Sequence, residues 1–94
     1  MRTIEHTGQF KRDYKREAKG RYRAVLETEL KQIIVALAND APLAARHRDH
    51  ALTSKWKDYR DCHVRPDLVL VYRLVGADRL ILACLGSHSE LNLD

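Results

Sequence analysis

Two aliphatic runs joined by a short turn dominate the second half of the chain. Leu68 to Val75 is almost unbroken apart from Tyr72 and Arg73, and Leu80 to Leu85 is a second run, with Gly76-Ala77-Asp78 between them. Runs this short and this rich in Val, Ile and Leu are strands, and continuous apolarity in place of alternation means that both faces are covered. So short a link leaves no length for a parallel crossover, which needs a dozen residues or more, so the two strands are antiparallel neighbours. The rest of the chain has to be arranged around this hairpin.

Upstream of it, Tyr59 to Val64 alternates, with Tyr59, Asp61 and His63 directed to one face and Arg60, Cys62 and Val64 to the other. Arg65-Pro66-Asp67 reads as the turn into the first aliphatic run. The first half has a helical period instead. Thr7 caps a helix in which Phe10, Tyr14 and Ala18 recur every four residues, and Gly20 ends it. A second helix is expected from about Arg21 to Asn39, with Leu26, Leu30, Ile33 and Leu37 along one stripe, and Pro42 lies just beyond its end. Arg2 to His6 is a short candidate edge strand. The expected fold is α+β, two N-terminal helices packed on a small, mainly antiparallel sheet of about four strands.

With 94 residues and 45% apolar content, the expectation is a single domain over 1–94. No apolar run approaches the roughly 20 residues of a membrane-spanning helix, and Met1-Arg2-Thr3-Ile4-Glu5 has no signal-peptide core, so a cytoplasmic protein with no membrane role is expected. Cys62 and Cys84 lie far apart in strand-like segments and read as packing thiols. The 17 Lys and Arg against 13 Asp and Glu leave a net charge of +4, and the cations cluster: Lys11, Arg12, Lys15, Arg16, Lys19, Arg21 and Arg23 face only Asp13 and Glu17. Such a stripe is either a solvated helix face or a phosphate-binding one.

Histidine is the residue type that stands out chemically. Cleavage of an RNA phosphodiester needs a base for the 2′-hydroxyl proton, an acid for the departing 5′-oxygen and positive charge on the phosphate. An unperturbed imidazole pKa of about 6.5 suits both proton roles. His50, His63 and His88 fall at strand ends or just past them, and Asp67 flanks the same turn as His63. A zinc-finger arrangement and an HExxH motif are both missing, although His47 and His50 are three apart, so no metal and no cofactor is expected.

Read in order, Arg48-Asp49-His50-Ala51-Leu52, then Trp56 through Asp67 (WKDYRDCHVRPD), then Gly86-Ser87-His88 form a known series of blocks. They resemble the YafQ branch of the RelE/ParE toxin superfamily, where the blocks take the forms DHxL, WxxYRDxHVxPD and a Gly-Thr-His or Gly-Ser-His near the C-terminus. The resemblance covers the whole chain, by pattern more than identity in the helical half. It implies a RelE-like fold and a bacterial type II toxin, a ribosome-dependent endoribonuclease that cleaves messenger RNA in the A site and is held inactive by a cognate antitoxin.

Carried over by position, the resemblance makes His50, His63, Asp67 and His88 the catalytic set. His88 is the expected acid, Asp67 or His50 the base, and His63 an orienting or stabilising group. Messenger and ribosomal RNA are the expected nucleic-acid partners, with Lys11, Arg12, Lys15, Arg16, Lys19, Arg60, Arg65 and Asn92 as the RNA-contacting set. Asn92 is a departure, because the family commonly has an aromatic residue, usually Phe, at this place. Two alternatives stand beside this reading: a non-nucleolytic ParE-like gyrase inhibitor and an inactive, antitoxin-binding homologue.

Overall fold

A computed structural model describes residues 1–91. The hairpin expected from the aliphatic runs is the centre of a five-stranded sheet in the order β1-β5-β4-β3-β2. The strands are β1 (Thr3–His6), β2 (His50–Ala51), β3 (Arg60–Arg65), β4 (Leu68–Val75) and β5 (Arg79–Gly86). β2, β3, β4 and β5 pair antiparallel in sequence order, while β1 pairs parallel with β5 from Thr3↔Arg79 to His6↔Leu82. The sheet therefore has five strands where about four were expected. The addition is β2, which at two residues is too short for any alternation to show in sequence.

Helix α1 (Gly8–Ala18) starts where Thr7 Oγ1 accepts the amide of Phe10 at 3.0 Å, as a capping threonine should. Helix α2 covers 23–38 and is not uniform: Arg23–Val25 and Lys31–Ala38 are α-helical, and Leu26–Leu30 between them is a π-type turn. Expected bounds of Arg21 to Asn39 were thus slightly wide. Its stripe is as predicted, with Leu26, Leu30, Ile33 and Leu37 all buried. They join Phe10 in one core against Cys62, Leu68, Leu70, Tyr72, Leu80, Leu82 and Leu85 on the helix-covered face of the sheet. At roughly 2–5 kcal/mol for truncating a buried Leu to Ala, this core carries most of the fold's stability.

The opposite face is dressed more thinly. Val69, Val71, Ala83 and Cys84 form a small buried cluster under Leu52, Trp56, Tyr59 and Leu91. Both thiols are free, and burial raises them, Cys84 to about 12. Among the described residues no helix is long and apolar enough to cross a membrane.

β1 ends at His6, so β5 beyond Leu82 would have a bare edge, and α1 covers it with side chains. Thr7 donates from Oγ1 to the Ala83 carbonyl (2.6 Å), Arg16 donates to the Leu85 carbonyl (2.8 Å), and the Leu85 amide donates to Asp13 Oδ2 (3.0 Å). Asp13 is buried, and its other oxygen accepts from Gln9 (2.7 Å) and Arg16 (3.0 Å). An Asp–Arg pair on a helix here does what a neighbouring strand would do, because an unpaired buried amide or carbonyl is costly. Gly86 leaves room beside it: a Cβ there would sit 2.8 Å from Arg16 Nη2 and would push the guanidinium aside.

Candidate active site

The alternation of β3 sends Cys62 and Val64 into the helix-side core and presents Asp61 and His63 on the thinly covered face. The register then brings other groups alongside. His50 on β2 is paired with Asp61, and Asp61 with Val71 on β4. A register shift between His63 and Arg65 ends the regular strand just past His63.

Asp61 is the hub. Its carboxylate is fully buried, with Oδ1 3.1 Å from His50 Nδ1 and Oδ2 3.6 Å from His88 Nε2. Neither oxygen has a hydrogen bond of acceptable geometry. The proximity and the missing bond are reconciled at His50, whose Nδ1 lies 2.8 Å from the Arg48 carbonyl. Both neighbours of that nitrogen are acceptors, so Nδ1 carries the proton, and the carbonyl is the better aligned of the two. A neutral His50 then has its lone pair on Nε2.

His63 is fixed by the same logic. Its Nδ1 lies 3.3 Å from the Pro66 carbonyl, again an acceptor, while its ring centroid is 5.1 Å from that of His88. The backbone carbonyl of His63 meets Nδ1 of buried His47 at 2.7 Å, which makes His47 a strut rather than a reactive group. His88 begins α3 (His88–Leu91), a single turn closed by a reciprocal cap: the Glu90 amide donates to Ser87 Oγ (3.1 Å) and the Ser87 amide to Glu90 Oε1 (2.9 Å). Glu90 also lies 3.8 Å from Arg16, so the edge device of α1 and the turn bearing His88 are linked.

The loop carrying His50 is pinned from the helix side. Arg48 adopts a left-handed backbone (φ 46°), and Asp49 accepts from Arg60 Nε (3.2 Å) and from the hydroxyl of buried Tyr72. Burial, with Asp49 next in weight, pushes the Tyr72 phenol far above its ordinary value.

Asp67 stands apart from this cluster. It is exposed, accepts from the Tyr22 hydroxyl and from Arg21, and the Tyr22 bond, followed by Arg21, holds its pKa below the usual carboxylate value. His50, His63 and His88 are thus brought together, and Asp67 is held by α2-side groups at the far end of the same turn.

The expected RNA-contacting cations divide. Arg16 is committed to Asp13, Glu17 and the Leu85 carbonyl, Arg60 to Asp49, and Arg65 to Glu29. Lys11, Arg12, Lys15 and Lys19 are exposed, with Arg12 making one bond, to Gln9. Asn92 lies outside the described residues. The reading of the sequence missed Asp61 as a site residue, although its two-residue spacing from His63 already placed it on the same face. Asp49, Tyr72, Ser87 and Glu90 were missed as supports.

This small α+β protein thus has a mixed sheet with α1 and α2 on one face and, on the other, an imidazole cluster gathered about a buried carboxylate. Its particular family is given by sequence: the family model described as "Bacterial toxin of type II toxin-antitoxin system, YafQ" matches residues 2–93, and the chain belongs to that family. The mRNA interferase toxin YafQ of Escherichia coli B / BL21-DE3 is 41% identical over 93 residues, 97% of this chain and 96% of its own. Among solved structures, a copper-bound mutant toxin from Helicobacter pylori superposes with a TM-score of 0.88 at 40% identity over 97% of this chain and 99% of its own. The E. coli YafQ chain in complex with DinJ superposes with a TM-score of 0.80 at 40% identity over 97% and 98%. In this chain, among the described residues, no three His, Cys, Asp or Glu side chains converge as a metal site.

Proposed function

We propose that this chain is the toxin of a type II toxin-antitoxin pair and an endoribonuclease that cleaves messenger RNA by general acid/base catalysis. The observation that carries the reading is the cluster of His50, His63 and His88 about Asp61, with His50 oriented so that Nε2 is its free lone pair. In the proposed reaction His50 Nε2 takes the proton of a 2′-hydroxyl, and the 2′-oxygen attacks the adjacent phosphorus. His88 gives a proton to the departing 5′-oxygen, leaving a 2′,3′-cyclic phosphate and a 5′-hydroxyl. A protonated His63 beside His88 supplies positive charge to the phosphate as it gains negative charge.

In this scheme Asp61 is the counter-charge that keeps the imidazoles in place, and it lies too deep to meet the substrate. Asp67, among the groups expected from the sequence to be catalytic, is a carboxylate that its partners hold ionised, which makes it a poor proton acceptor. It is assigned to orienting the turn after His63. His50 is therefore the base.

The reading extends to a ribosome that presents the messenger in its A site and to a cognate antitoxin, with action in the cytoplasm. On α1, Arg12 and Lys19 are the exposed cations nearest the histidine face by the 100° step of a helix, since Gln9, Asp13 and Arg16 already line the depression beside Tyr59 and Cys84. They are the natural contacts for ribosomal RNA phosphates. Expression of the chain alone should arrest growth and cut messenger only while it is translated. Intact messenger under arrest, with inhibited DNA supercoiling, would overturn the assignment.

A further inference from the structure

The backbone carbonyl of His63 is fixed by His47, but its ring depends on a turn. Nδ1 rests on the Pro66 carbonyl, 3.3 Å away, in the two-residue connection that closes β3 on β4 beyond the Arg65↔Leu68 pair. That turn has little to hold it from within. The two-residue hairpin turns that match the twist of their strands need positive φ at one or both central residues. Outside glycine, positive φ is found at Asp40, Arg48 and Ser54 among the described residues, so neither Pro66 nor Asp67 supplies it. Proline also has no amide to donate, and the ladder shifts register just before the turn, between His63 and Arg65. The Pro66 carbonyl, and the imidazole resting on it, are therefore placed by whatever grips the turn from outside.

Two grips come from the helix layer, one on each side of Pro66. Arg65 meets Glu29 at two points, Nη2 to Oε1 at 3.0 Å and Nε to Oε2 at 2.9 Å. Glu29 stands in the π-type turn of α2, between buried Leu26 and Leu30, so its backbone is anchored in the core. Asp67 accepts from the Tyr22 hydroxyl and from Arg21. The Tyr22 ring packs against the core while its hydroxyl reaches the surface, and the Arg21 guanidinium lies 4.8 Å from the centre of that ring. Exposed ion pairs contribute little to stability, so stability alone is a weak account of two such contacts flanking one proline.

We propose that Tyr22 and Glu29 are positioning residues of the nuclease, which hold the Arg65-Pro66-Asp67 turn and, through the Pro66 carbonyl, the ring of His63; the role rests on the acid/base reading above. With Nδ1–H on that carbonyl, Nε2 is the ring atom left for the phosphate. Ring placement matters because His63 and His88 are 5.1 Å apart between centroids, and a drift of about 1 Å in such a pair is costly to catalysis. Glu29 is an anion and is a poor contact for RNA itself, so its route to the chemistry runs through Arg65.

The test compares the whole chain, labelled with ¹⁵N at histidine, with its Tyr22→Phe, Glu29→Gln and doubly substituted forms. Both substitutions keep the size of the side chain, and circular dichroism checks the fold. If the double variant loses its fold, the single variants carry the same test with smaller shifts. Glu5→Gln is the control, since it breaks an exposed ion pair of the same kind, with Arg79 at the start of β5. In the double variant the His63 ring nitrogens should leave the Nδ1–H pattern for the averaged shifts of two exchanging tautomers, with the His50 pattern kept. Messenger cleavage on programmed ribosomes should fall about tenfold or more in kcat, with KM unchanged. The control should move neither. Unaltered His63 ring signals in the double variant, a loss carried by KM, or an equal loss in the control would each overturn the proposal. Unaltered rings beside normal cleavage would sink the clamp and leave the nuclease standing. An unsubstituted chain that cuts no messenger would instead fail the nuclease reading, and this role with it, whatever the rings show.

Discussion

Asp61 and His50 face one another across the β2/β3 ladder, 3.1 Å apart, yet the His50 proton is turned to the Arg48 carbonyl at 2.8 Å. The buried carboxylate is left with no hydrogen bond, and a neutral His50 with its Nδ1 proton on that carbonyl has its lone pair on Nε2. Such an arrangement is costly to the fold and useful to the chemistry, and the two consequences can be separated.

Asp61→Asn keeps the shape and removes the buried charge. The variant should melt at or above the temperature of the parent chain, because a neutral amide costs less to bury. Messenger cleavage should fall by on the order of 10²-fold or more, the usual range for a lost electrostatic or acid/base contribution. Thermal melts and single-turnover cleavage on the same samples check both halves.

Tyr72→Phe tests the support beneath His50. Losing one bond to Asp49, with Arg60 still in place, should lower stability by about 1 kcal/mol. The effect on cleavage should be in kcat with KM unchanged, because Tyr72 is buried on the helix-covered side and touches no substrate. Steady-state kinetics and the ring nitrogen shifts of His50 read the change.

The side-chain cap on β5 predicts a cost at a site far from the histidines. Asp13→Ala leaves the buried Leu85 amide without a partner, which should reduce stability by about 1–3 kcal/mol in denaturant titration. It should also loosen the Ser87–Glu90 turn through Arg16, seen as faster amide exchange at Glu90.

Asp67 contributes a pH dependence whose sign follows from its depressed pKa. A carboxyl that is more acidic folded than unfolded stabilises the fold above its ordinary value, 3.8, and that contribution fades as pH falls through the lower folded value. Tyr22→Phe removes the largest cause, so the Asp67 titration measured by carboxyl NMR should move up toward 3.8, and the acid unfolding transition should lose that component.

Much of this architecture is written in local patterns. The aliphatic runs declare the central hairpin, the four-residue recurrence of Phe10, Tyr14 and Ala18 declares α1, and both hold in the structure. Other features depend on distant groups, and local pattern does not encode them. β2 exists only because Asp61 and Arg60 offer it a ladder, and two residues carry no period. Arg16 looks like one more member of a cationic stripe until β5 runs out of partners at Leu82 and needs its guanidinium. Asp61 could be placed on the correct face by alternation, but its burial between His50 and His88 requires the return of the chain at Gly86. Of the four residues that the family blocks single out, His50, His63, Asp67 and His88, the structure brings the three histidines together and places Asp61 between His50 and His88.

The central claim is that these side chains cut RNA, and its most direct measurement is cleavage of a messenger in a translating extract, with the new ends sequenced and their chemistry identified. The unsubstituted chain should give cuts bearing a 2′,3′-cyclic phosphate and a 5′-hydroxyl, and the combined His50→Ala, His63→Ala, Asp67→Ala, His88→Ala variant, folded by circular dichroism, should give none. Undiminished cleavage by that variant would contradict the account.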